Sequence, residues 1–144
     1  MTQIAFHFNA PDKLGYVCRF VRKALRHDAR VTVLGSEAML RQLSPRLWKA
    51  SPQDFLAHAV QGSDASLMAQ SPVALVHTLA ASPHHDILLN LDAQVPEGYS
   101  AFARVVEVVS AFDEMDKDQA RQRWRRYTQD GHTIVRHDLV LQES

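Results

Sequence analysis

Apolar residues recur along this chain in two periods, and the switches between them outline its elements. Positions 2–8 alternate, with Ile4, Phe6 and Phe8 on one side and Gln3, Ala5 and His7 on the other, which predicts an opening strand. Pro11-Asp12 then starts a helix. Leu14, Val17, Cys18, Val21 and Leu25 keep helical spacing from Lys13 to about Asp28, leaving Arg19, Arg22, Lys23 and Arg26 on the outer face. Residues 30–34 read as a short strand, and the turn at Gly35-Ser36-Glu37 opens a second helix expected to reach about Leu43. Pro45 and Pro52 break the next stretch, which carries Leu47, Trp48, Phe55 and His58 and ends in a loop around Gln61-Gly62-Ser63-Asp64.

Two apolar runs follow, at positions 73–76 and, with Asn90 inside it, 87–91, with the length and composition of strands covered on both faces of a parallel sheet. The β-branched run at 104–109 precedes a helix, and residues 133–137 return as a last strand. Strands alternating with helices predict an α/β fold: a three-layer α/β/α sandwich around a mostly parallel sheet. No repeat or flexible linker divides the 144 residues, so one domain spanning 1–144 is expected.

Composition narrows the function classes. Sixteen Lys and Arg balance 16 Asp and Glu, so the basic surplus of a general nucleic-acid binder is missing and any anionic partner must be met locally. A nucleotide site would suit an α/β sheet, but none of the five glycines forms a phosphate-cradling loop. His84-His85-Asp86 is the one metal-capable cluster. Adjacent residues of an extended segment point apart, and no further ligand follows at zinc spacing, so it reads as a polar loop. Cys18 excludes an internal disulfide and sits on the first helix's apolar stripe, and no serine occupies a nucleophile elbow. No apolar run has membrane-spanning length and no secretory signal opens the chain; a cytoplasmic, non-enzymatic protein without metal or cofactor is expected.

The densest signal lies between Asp113 and Gly131. Asp113, Glu114 and Asp116 suit the positive end of a helix dipole, and Gly131 can adopt the left-handed conformation that ends a helix. At 100° per residue Lys117, Arg121 and Arg125 form one strip, Ala120 and Tyr127 the neighbouring strip, and Trp124 the seam, with Tyr127 expected to be partly buried. Five cations and one anion between Lys117 and Arg126 concentrate positive charge there. Such a face is either a solvated surface or a dock for an acidic, aromatic-bearing partner, for which Arg and Trp are well suited. Trp48 and Phe55, off any clean helical face, are either core residues or interface anchors. A rival reading joins the basic residues of the first helix to those of the late helix as a phosphate track on nucleic acid.

The chain resembles the chi subunit of bacterial DNA polymerase III over nearly its whole length. The markers are Phe6-His7-Phe8, Leu47-Trp48 with Pro52, Phe55 and His58, the run from Asp86 to Leu91, Phe102 with the run 105–109, and above all Lys117, Ala120, Arg121, Arg123, Trp124, Arg125, Tyr127 and Gly131 in their spacing. The resemblance implies a non-catalytic bridge, held on one surface by the psi subunit of the clamp loader. Another surface would capture the acidic C-terminal tail of single-stranded DNA-binding protein, which ends in phenylalanine. By position, it assigns the tail to Lys117, Arg121, Trp124 and Arg125, and psi to Trp48 and Phe55; Arg121, between Lys117 and Arg125 and one helical turn from Trp124, is the expected central contact. Trp124 stands where the family often has tyrosine, and Ser110 where an apolar residue is common.

Overall fold

The computed structural model describes residues 2–49 and 59–139. Their order is β1 (Gln3–Ala10), α1 (Lys13–Arg26), β2 (Val31–Leu34), α2 (Glu37–Lys49), β3 (Ala59–Val60), α3 (Ala65–Gln70), β4 (Val73–Val76), β5 (Ile87–Asn90), β6 (Arg104–Ser110), α4 (Glu114–Gln129) and β7 (Ile134–Asp138). The strands form one sheet in the order β3-β4-β2-β5-β6-β1-β7, with every pairing parallel. All four residues of each of β2, β4 and β5 are buried, which is why their sequences are mostly apolar and not alternating, with only Thr32 and Asn90 polar.

Alternate strand residues feed two cores. On one face α1 and α2 lay Val17, Val21, Leu43 and Leu47 against Val33, Leu75, Val106 and Val108. On the other, α4 and α3 lay Ala120, Tyr127 and Met68 against Ile4, Phe6, Val105 and Val109. The result is the expected three-layer α/β/α sandwich. Cys18 lies in the first core, where burial pushes its thiol pKa up and keeps it a small hydrophobe. No helix among the described residues is long and apolar enough to cross a membrane.

One expected boundary is corrected. α2 does not stop near Leu43; it runs through Pro45 to Lys49. An interior proline costs a helix about 3 kcal/mol, but extending the helix also buries Leu47 completely beside Leu43, at about 2 kcal/mol for each such side chain. Arg46, one turn on, bonds Asp12 at the start of α1 at 2.6 Å. Burial of Leu47 and the Arg46–Asp12 pair therefore offset most of the local cost. Trp48 belongs to this helix by its backbone, whereas its side chain and the whole of Phe55 lie outside the described residues.

Candidate functional site

The start of α4 is tied to the strand ends around it. Asp113 caps the helix by accepting from the Met115 and Asp116 backbone N–H groups at 3.1 and 3.2 Å. Ser110 Oγ accepts from the N–H groups of Phe112 and Asp113, so its hydroxyl serves the turn. Asp116 accepts from the Ser110 N–H and pairs with Lys13 of α1, each at 2.8 Å, with both charged side chains mostly buried. At the far end Gly131 has φ 92°, the left-handed turn anticipated at that position.

The inner face of α4 carries more than its sequence promised. Tyr127 is fully buried and not merely half covered, and Arg123, counted among the surface cations, is only 2% exposed. Both serve Glu107 of β6, itself fully buried. Arg123 Nε donates to Glu107 Oε1 at 2.8 Å, while Tyr127 OH and Asn90 Nδ2 donate to Oε2 at 2.7 and 2.8 Å. Burial pushes the Glu107 carboxyl pKa up, and Arg123 and the two neutral donors pull it back. This buried pair had a readable signal: Glu107 interrupts an otherwise apolar run, and Arg123 is three residues from Ala120 and four from Tyr127 on the inward strip.

Between the outer flank of α4 and the carboxyl ends of β1 and β6 lies a cavity of about 630 Å³. Its apolar part is built from Phe6, Phe8, Val109, Ala120 and Trp124, with the Phe6 and Trp124 ring centroids 5.0 Å apart. Lys117, Arg121 and Arg125 form its rim on the helix side. Asn9 shapes the opposite lip: with φ 66° it sits where the β1 and β6 register shifts between His7 and Ala10, and its side chain donates to Asp138 at 3.0 Å. The cavity thus occupies the position outside the strand carboxyl ends where open α/β sheets take ligands.

All four residues assigned to the late helix, Lys117, Arg121, Trp124 and Arg125, meet at this cavity. Trp124 is half-buried and Lys117 28% exposed in its side chain, against 61% for Arg121. Lys117 bonds Glu114 at 3.3 Å and Arg121 pairs with Asp118, whereas Arg125 has no carboxylate partner among the described residues. Phe8 and Arg136 complete the site, and neither was assigned to it from the sequence. Phe8 belongs to the same alternating set as Phe6, but that Arg136 joins it depends on β7 pairing beside β1, which no local pattern announces.

An apolar hollow rimmed by cations suits an acidic segment with an apolar side chain to insert. The basic residues of α1 do not extend it, because α1 and α4 pack on opposite faces of the sheet. Elsewhere, His84 Nε2 meets the Ser71 carbonyl at 2.6 Å and Asp86 accepts from the Arg30 N–H at 3.2 Å, so two members of the His84-His85-Asp86 cluster hold backbone. No group of three potential metal ligands occurs among the described residues.

The family model described as DNA polymerase III chi subunit, HolC, matches residues 1–135. A curated relative, the DNA polymerase III subunit chi of Haemophilus influenzae, is 25% identical over 121 residues, covering 81% of either chain. The match takes in β1 and the whole of α4, the two elements that form most of the cavity wall. The chain belongs to the family of DNA polymerase III chi subunits.

Proposed function

We propose that this chain is a non-catalytic accessory subunit of the replicative DNA polymerase III holoenzyme in the cytoplasm, needing no cofactor. It bridges the clamp loader, through the psi subunit, to the acidic C-terminal tail of single-stranded DNA-binding protein. The observation that carries the tail half of this reading is the cavity of about 630 Å³, whose apolar interior and rim of Lys117, Arg121 and Arg125 match a terminal phenylalanine preceded by carboxylates. Trp124 lines the hollow, its ring tilted 60° against that of Phe6. Trp48 and Phe55 are the proposed contacts for psi, two aromatic residues of a proline-broken stretch.

Direct binding of DNA is weak or absent on this account, since the two basic helices lie on opposite sheet faces and the chain is neutral. The test is to titrate the chain with an isolated acidic peptide ending in phenylalanine, and separately with a single-stranded oligonucleotide. Binding of the peptide without DNA is expected. A chain that ignores the peptide but binds oligonucleotide, with affinity falling steeply as salt rises, is a nucleic-acid module and not a tail receptor.

A further inference from the structure

Arg136 approaches the cavity from β7, not from the helix. Its guanidinium carbon stands 5.5 Å from the centroid of the Phe8 ring and 5.9 Å from that of Trp124, and it lines the same cavity as Lys117, Arg121 and Arg125. The four cations are not equivalent. Lys117 and Arg121 already hold Glu114 and Asp118, so an incoming carboxylate has to compete with a resident one. Arg125 and Arg136 have no carboxylate partner among the described residues.

Support separates these last two. Arg136 rests over two rings, which narrows the rotamers it can lose on binding and leaves its planar fork ready for bidentate pairing. Those same rings belong to the apolar part of the cavity. A carboxylate on Arg136 therefore lies at the margin of the space that admits an aromatic side chain. The α-carboxylate of a C-terminal aromatic residue satisfies both conditions at once, because carboxylate and ring share one Cα. Resting on the tail-receptor reading above, we infer that Arg136 binds the chain-terminal α-carboxylate of the peptide. The site then recognises a chain end, while the helix cations meet the acidic residues that precede it.

The experiment uses a short acidic peptide ending in phenylalanine, made as the free acid and as the C-terminal amide. Each form is titrated into the full-length wild type, Arg136→Ala and Arg136→Lys. Amidation is expected to weaken wild-type binding about tenfold, the scale of one charge-assisted contact. In Arg136→Ala the acid-to-amide ratio should collapse to about twofold or less, and Arg136→Lys should restore part of it. Loss of ring packing alone weakens both peptides alike and leaves the ratio unchanged, so the ratio distinguishes carboxylate binding from a structural role. Arg136 is exposed, and unchanged circular dichroism is expected for both variants. Equal wild-type affinity for acid and amide, or an undiminished ratio in Arg136→Ala, overturns the inference while the tail-receptor reading stands. If wild type binds neither form, both fall.

Discussion

On the sheet face away from the cavity, His7 lies buried beneath α1, with Nδ1 hydrogen-bonded to the Tyr16 hydroxyl and Nε2 without a hydrogen-bond partner among the described residues. Its ring meets those of Tyr16, Phe20 and His137 at 5.7, 5.7 and 4.5 Å. Burial, then the nearby His137, Arg104 and Lys23, lower its pKa from 6.5 to about 4. The unfolded chain therefore binds more protons at this residue than the folded one between those values. Its contribution to stability is complete above about pH 6.5 and is lost as pH falls towards 4, with a size on the order of 2 kcal/mol after solvent screening. Urea midpoints of wild type and His7→Phe across that range should diverge, the wild type losing more on acidification; parallel curves would show that His7 is not the group responsible. The alternation of β1 set His7 opposite Phe6 and Phe8, on the more polar side, so neither its burial beneath α1 nor its partners, which come from α1 and β7, were legible there.

At the level of elements, periodicity located the strands that are buried on both faces and the two long helices, because there burial alone decides residue type. It misplaced the end of α2, where packing of Leu47 overrides Pro45, and it missed β3 and α3, which at two and six residues are too short to display a period. The attachment of α4 to β6 shows the same boundary between local and tertiary information. Glu107 and Arg123 are 16 residues apart and meet at 2.8 Å in a site with almost no solvent. Removing one partner strands the other's charge, so Arg123→Ala should cost about 3 kcal/mol or more in equilibrium unfolding. Replacement of an exposed helix cation such as Arg126 should cost under about 1 kcal/mol. Similar losses for the two variants would mean that the buried pair does not hold the helix that presents the site.

For the whole molecule, the two proposed partners fall to two separate places. The cavity sits among β1, β6, β7 and α4, while α2, which carries Trp48, packs on the opposite face of the sheet. Replacing Trp48 and Phe55 by Ala together should abolish co-purification with psi and leave peptide affinity within about twofold, since separated sites behave additively. Loss of both activities in a folded variant would mean the surfaces are not independent. The basic strip of α4 and its seam tryptophan could be read from the sequence because helical spacing places them together. The hollow they border could not, because it exists only where β1 and β6 end against that helix. Whether this hollow is the receptor for the acidic tail is the central question, and calorimetric titration of a phenylalanine-terminated acidic peptide into wild type, Arg121→Ala and Arg22→Ala addresses it directly. Arg121 is a rim residue of the cavity and Arg22 lies on the helix across the sheet, so a loss of about 1 kcal/mol, roughly fivefold, is expected for Arg121→Ala and none for Arg22→Ala. Equal affinities for all three proteins, or a loss confined to Arg22→Ala, would contradict it.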